Sequence, residues 1–381
     1  MRHLLYILPI MTLLLVACRD EDIIYIPEQV EVARPEYTGV TGLYVLNEGN
    51  MNDNKASLDF YDYSSGTYRR NIFPEANPHV TQEMGDVGND IGIYGDKLYA
   101  VINCSNKIDV LDKRTAVKLG QINIPNCRYI AFKGGYAYVT SYVGPVSLTD
   151  DRRFQNGAVL KVDTVSLNVV DTCYVGRQPD GIEIVDDLIY VANSGGYTPE
   201  RYESTVSVID LYTFKEIERI EVAPNLQHIK SDRRGILWIT SRGDYYNQGS
   251  GIYAYDTRKR RMVTYIDTPV SSTWLDGDSL YVVSAEWSYL ADNTLARTYK
   301  IIDTDKQMVV NNNFIADGTD AVITLPYGVA VHPITKDIYI GDARDYIHPG
   351  RLYCFDRNGV KKWDVRTGDI PGHFVFLGDY K

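Results

Sequence analysis

The chain of 381 residues holds many residues capable of chemistry, but few are grouped for it. Its six histidines are dispersed, no Cys neighbours a His, and there is neither a G-x-S-x-G elbow nor a helical phosphate cradle, so nucleophilic catalysis has no sequence support. Cys104, Cys127, Cys173 and Cys354 lack the C-x-x-C or Cys/His spacing of a zinc site. A metal would need His79, His228 and His373 to converge from distant parts of the chain. What stands out instead is a series of short segments, "EMGDVGND", "PNCRY", "RQPDG", "PNLQH", "PVSSTW", "TLPYG" and "IPGH". They offer Asn89, Asp90, Arg128, Asp180, His228, Trp274, Tyr327 and His373. Brought together, these would form a bowl with aromatic walls and many amide or carboxylate contacts. Such a bowl suits non-covalent recognition of a polar organic ligand and requires no cofactor.

The elements that must position these segments recur along the chain. An aromatic flanked by aliphatics appears at Leu43-Tyr44-Val45, Leu98-Tyr99-Ala100, Ala137-Tyr138-Val139, Ile189-Tyr190-Val191, Leu237-Trp238-Ile239, Leu280-Tyr281-Val282 and Ile338-Tyr339-Ile340. An apolar run closed by Asp follows each one, at Asp62, Asp112, Asp163, Asp210, Asp256, Asp303 and Asp356. Those aspartates read as turn residues that cap a tight bend through the side chain. Each unit of about 45 to 55 residues reads as four short strands, with no helical periodicity. In the fourth unit the expected strands are Gly181 to Val185, Leu188 to Asn193, Thr205 to Asp210 and Glu216 to Val222. The pattern predicts an all-β, seven-bladed β-propeller over residues 41–381. The first copy lacks an inner strand, which "HFVFL", His373 to Leu377, supplies from the far end to complete the first blade and close the ring.

In such a ring the loops between second and third strands share a face with the blade-to-blade connections. Long loops there, such as "SYVGPVSLTDDRRFQNG", contrast with opposite-face turns of a few residues. Asn47, Asn103, Asn193 and Asp342 end second strands at that face and join the expected ligand-binding set, although each alone also reads as a turn or cap residue. Trp287, Tyr197, Tyr245, Tyr246 and Tyr346 are expected on an outer rim. Cys104 and Cys127 fall on the same face in adjacent blades, so a disulfide between them is expected.

Composition restricts the partners. A net charge of -11 argues against nucleic acid and against adsorption on anionic lipid, and 31 Tyr against 9 Phe suits half-exposed contact surfaces. The N-terminus has a basic start, an apolar stretch too short to span a bilayer, and "LVAC", which reads as a signal peptide over residues 1–17. That ending resembles the lipobox of bacterial lipoproteins, with Cys18 the lipidated residue, and residues 18–40 are then a tether. Arg19-Asp20-Glu21-Asp22 resembles the surface-export signal of lipoproteins in Bacteroidota, which implies an outer-membrane anchor facing the cell exterior. "QPDGIEIVDDLIYVANSGG" followed by "STVSVIDLYTFKEIERIEV" resembles the YVTN, or YncE-like, propeller repeat. With the anchor and the Tyr-rich loop face, the whole resembles the corrinoid-capturing propellers of the BtuG type. That resemblance implies cobalamin or another corrinoid as ligand and an outer-membrane TonB-dependent transporter as partner. Two alternatives stand beside it: a structural, protein-binding or glycan-binding component of an uptake complex, and a propeller lyase or lactonase.

Cys18→Ala should release the protein from membranes into the soluble fraction. Continued anchoring of that variant, scored by fractionation, would count against lipidation.

Overall fold

The computed structural model describes residues 26–36, 38–80, 83–144, 146–245, 247–287 and 295–378, without the side chains of 286 and 287. The signal peptide, Cys18 and the acidic cluster after it lie outside these residues, as does Tyr246. The repeats form seven antiparallel sheets, a seven-bladed β-propeller as expected. Blade 4 consists of Pro179–Val185, Leu188–Asn193, Thr205–Asp210 and Lys215–Glu221, within two residues of the strands read from sequence. The other inner strands are Gly88–Tyr94, Cys127–Lys133, Leu226–Ser231, Ser272–Asp276 and Pro326–Val331. Among the described residues one α-helical turn, Phe73–Ala76, and three short 3-10 turns interrupt the all-β pattern, the first burying Phe73 beneath blade 1.

Burial follows the alternation along each strand. Second strands are covered on both faces because a blade stands on either side: Tyr99 and Val101 of blade 2 share a core cluster with Ala137 and Val139 of blade 3. Outer strands are polar, and Lys215–Glu221 alternates exposed and half-buried residues at its open edge. The turn aspartates do what their type requires. Asp163 Oδ1 accepts from the backbone of Ser166 at 2.7 Å and Val165 at 3.0 Å, and Asp210 Oδ1 accepts from Thr213 at 2.8 Å. These bonds hold both carboxyls below the usual range.

The C-terminal strand, Pro371–Gly378, closes the ring by pairing antiparallel with Val40–Asn47, Leu43 opposite Phe376 and Val45 opposite Phe374. A second addition was not legible. Glu28–Glu31, expected within the tether, forms a fifth strand on the outer edge of blade 1, paired with Thr67–Arg70.

The expected Cys104–Cys127 bridge is not formed, and both thiols are free. Cys127 is fully buried between blades 2 and 3 with its Sγ 3.4 Å from the Lys107 carbonyl, whereas the Cys104 Sγ lies 3.4 Å from Asn103 Oδ1. Sharing a face in adjacent blades did not bring the two side chains together. Burial instead pushes the Cys127 thiol up to about 12.

Deleting Pro371–Lys381 should leave Val40–Asn47 without its inner partner and lower the melting temperature by about 10 °C or more. Differential scanning calorimetry showing an unchanged melting temperature would count against closure by this strand.

Candidate functional site

The axial end of the loop-bearing face owes its shape to one backbone irregularity repeated around the ring. Six of the seven inner strands shift register at this end, leaving extra residues unpaired against the second strand. Such bulges re-aim side chains, and here they carry Asn89, Arg128, Tyr129, Asp180, His228 and Tyr327. In five blades the residue entering the strand has positive φ: Val87, Asn126, Gln178, Asn225 and Ile370 at 60°, 45°, 44°, 57° and 61°. For β-branched Val87 and Ile370 that conformation costs on the order of 1–2 kcal/mol. Gly181 is required for a different reason. A Cβ there would lie 2.5 Å from the Gln227 carbonyl oxygen, so only glycine lets blades 4 and 5 approach so closely.

The bulged side chains bond from blade to blade. Arg128 Nε and Tyr142 Oη both donate to Asp180 Oδ1, at 2.9 and 2.8 Å, and Asp180 is fully buried. The Arg128 guanidinium lies 5.2 Å from the Tyr142 ring and 5.8 Å from that of Tyr129, within cation–π range. Asn89 Nδ2 donates to the Arg128 carbonyl at 2.7 Å, and the Ile130 backbone donates to Asp90 Oδ2 at 3.0 Å. Burial raises the Asp90 carboxyl, with His373 and Lys230 opposing. His228 is pushed down to about 3, first by burial and then by Arg242 and His373. It is therefore neutral, and its Nε2 donates to the Ser271 carbonyl at 3.2 Å. Across the axis Glu48 accepts from Tyr327 Oη and from His373 Nε2, both at 2.9 Å. Asp180 Oδ2 is buried without a hydrogen bond, with Arg242 Nη1 4.0 Å away.

Of the residues expected at the site, Asn89, Asp90, Arg128, Asp180, His228, Tyr327 and His373 are gathered at this mouth. The strand-end residues Asn47, Asn103, Asn193 and Asp342 are not open to a ligand. All four are buried: within their own blades Asn193 Nδ2 donates to Ser207 Oγ at 2.9 Å and Asp342 accepts from the Leu325 backbone at 2.8 Å, while Asn103 Nδ2 donates across to the Cys127 carbonyl of blade 3 at 2.9 Å. The residue after the strand end reaches the axis instead, and Glu48, Tyr142 and Arg242 were missed for that reason. Trp274 also differs from expectation. Blade 6 has no bulge, so Trp274 pairs with Tyr281 deeper in the ring and packs edge-on to Phe376 at 5.8 Å. Trp287 ends a strand, and its side chain lies outside the described residues.

The aromatic wall of the mouth is tyrosine. Tyr142 meets Tyr197 at 6.2 Å, Tyr202 meets Tyr245 at 6.4 Å and Tyr327 meets Tyr346 at 5.9 Å, with Tyr245 and Tyr346 exposed beyond them. Among the described residues no group of three or more His, Cys, Asp or Glu is spaced to hold a metal ion. Two concavities of about 300 and 240 Å³ lie elsewhere, one between the outer parts of blades 5 and 6 and one against blade 1 beside Lys55, Arg70 and Asp369.

The profile of a family described as "Domain of unknown function (DUF5074)" matches residues 41–376. No curated relative matches the chain. Among solved structures, a quinonprotein alcohol dehydrogenase-like protein from Bacteroides thetaiotaomicron is similar at TM-score 0.59 and 13% identity, over 90% of this chain and 79% of that one. Hydrazine synthase from Kuenenia stuttgartiensis gives 0.56 and 18% identity over 71% and 77%. The Pan2 WD40 domain of Neurospora crassa gives 0.52 and 11% identity over 74% and 80%. At these identities the likeness is one of fold.

Asp180→Ala would leave the Arg128 guanidinium without its carboxylate and the Tyr142 hydroxyl without its acceptor. The expected loss is about 3 kcal/mol of stability in urea unfolding, and a variant as stable as the parent would show that this bond does not hold the ring.

Proposed function

The chain belongs to the DUF5074 family, whose description carries no activity, and we propose that its propeller is a capture protein. In this reading it is a cell-surface lipoprotein that binds a broad, amide-rich organic ligand, a corrinoid such as cobalamin, at the loop-bearing mouth and passes it to an outer-membrane TonB-dependent transporter. The observation that carries it is the union, at one mouth, of a tyrosine wall with a partly exposed arginine, Arg242. Tyr327 and Tyr346 on one side and Tyr142, Tyr197, Tyr202 and Tyr245 on the other provide aromatic surface across blades 3, 4, 5 and 7. Between them Arg242 stands above the buried Asp180 with 36% of its side chain exposed. A ligand amide carbonyl or an anionic group would accept from its guanidinium. A flat macrocycle edged with amides makes both demands of one surface.

Titration calorimetry of cobalamin into the chain from Ile23 onward should give saturable binding without turnover. Arg242→Ala and Tyr327→Ala should each weaken it by about 2 kcal/mol, roughly thirtyfold. Val165→Ala, on the opposite face, should leave it unchanged. Absence of binding at micromolar cobalamin would overturn the corrinoid reading, and conversion of the ligand would replace capture with catalysis.

A further inference from the structure

The face opposite the mouth has one corner whose charge departs from that of the chain as a whole. Arg258, Lys259, Arg260 and Arg261 are consecutive where Gly251–Asp256 turns back into Arg261–Asp267, and the other short turn of the same blade, between Leu226–Ser231 and Ile236–Ser241, adds Arg233 and Arg234. Six cations thus crowd two turns of blade 5 in a chain of net charge -11. Neighbouring blades answer three of them. Arg233 pairs with Asp278 at 2.5 Å and Arg234 with Asp305, both of blade 6, while Arg260 reaches Glu218 of blade 4 at 2.6 Å. Arg234 is fixed further by Asp232, whose Oδ2 accepts from its Nη2 at 2.7 Å. Lys259 has only its own turn carboxylate, Asp256, at 3.3 Å. Among the described residues Arg258 and Arg261 have no ion pair, and both are exposed.

Three of these cations line a hollow and not a flat surface. Arg234, Arg258 and Lys259 border the concavity of about 300 Å³ between blades 5 and 6, together with Ile236, Val263, Asp256 and, from blade 6, Gln307. Asp256, its one carboxylate, is committed to its own turn. Its Oδ1 accepts from the Arg258 and Lys259 backbones at 3.0 and 2.8 Å, and the residue is 5% exposed. We infer that this concavity is a binding site for the phosphate of a compact phosphomonoester, such as a sugar phosphate. That group brings a charge of about -1.5 to -2 at pH 7 and three acceptor oxygens. The Arg258 fork can take two of those oxygens and the Lys259 ammonium the third, while the Gln307 amide and the apolar sides of Ile236 and Val263 meet the carbon skeleton. A carboxylate has two oxygens and one charge, so it would occupy one cation and leave the other unanswered. A nucleic-acid strand would need such contacts in a row, and the chain outside this corner is acidic.

The test is titration calorimetry of glucose 6-phosphate into the chain from Ile23 onward at physiological ionic strength. One molecule should bind per chain, glucose should not bind, and glucuronate, a carboxylate of similar size, should bind about tenfold more weakly or worse. Arg258→Ala should weaken glucose 6-phosphate about tenfold or more, and Gln307→Ala about threefold while leaving inorganic phosphate as it was. Arg114→Ala is the control and should change nothing. Arg114 holds the same place in the turn of blade 2, its backbone bonded to Asp112 as that of Arg258 is to Asp256, and lies outside the concavity. Absence of binding, equal binding of glucuronate, or an equal loss in Arg114→Ala would overturn the site and leave these cations as partners of neighbouring blades. Flotation with phosphatidylcholine vesicles carrying about one-fifth phosphatidic acid separates two sources of the same group. Capture that glucose 6-phosphate competes away assigns the site to a lipid headgroup, calorimetric binding without flotation assigns it to a soluble ester, and flotation that Arg258→Ala leaves intact would overturn the headgroup as its ligand. None of these variants touches the mouth, so the result stands apart from cobalamin binding.

Discussion

A propeller blade buries both faces of its sheet only when a neighbour stands on each side, so the ring gains its full stability once Pro371–Gly378 lies beside Val40–Asn47. That strand joins two interfaces at once. Phe374 and Phe376 belong to the cluster shared with Tyr339 and Leu352 of blade 7, while Leu377 joins the one shared with Leu98 and Ala100 of blade 2. Alternation along a strand makes the double contact possible, because successive side chains point to opposite faces. The ends of the described chain both converge on blade 1. Its outer edge carries the strand Glu28–Glu31 and its inner edge the closing strand, so both meet on one five-stranded sheet.

Convergence of seven inner strands on one axis creates a second constraint. Residues at the mouth are crowded, partly desolvated and drawn from blades with no hydrogen-bonded ladder between them, so polar groups there must find partners across blades. The bulges turn side chains toward the axis, and the bonds from Asn89 to Arg128 to Asp180, and from Tyr327 and His373 to Glu48, follow from that aim. Neutral His228 fits the same logic. Burial, with Arg242 and His373 nearby, outweighs the opposing Asp180 carboxylate against an imidazolium, whereas a neutral ring can still donate to Ser271.

Much of this architecture was legible in the residues, and the limits are physical. The seven units show through because period-two alternation and the turn aspartates are local signals. The closing strand is legible because it stands alone after a complete unit. The outer strand Glu28–Glu31 is not: "EQVE" has no buried face, and its burial pattern is exposed throughout, so it is a strand by virtue of its partner. The site was half legible for a sharper reason. A bulge adds one residue and has no sequence signature, yet it decides which side chain reaches the axis. Asn47, Asn193 and Asp342 were expected at the mouth and turn into their blades, while Glu48 and Arg242, one place beyond the strand end, turn out. Trp274 misled in the complementary way, since blade 6 lacks the bulge that lifts the corresponding residues of other blades toward the mouth.

What this leaves for recognition is a division between a fixed ring and an open one. Residues such as Asn89, Asp90 and Glu48 spend their bonding capacity on neighbouring blades, and breaking those bonds to reach a ligand would return little net energy. They set the shape of the mouth and hold the loops in register. Selectivity then falls to Arg242, whose side chain is 36% exposed, and to tyrosines stacked edge to face in loops that differ in length from blade to blade. A ligand that spans the mouth meets a rigid centre of paired charges and an adaptable aromatic margin.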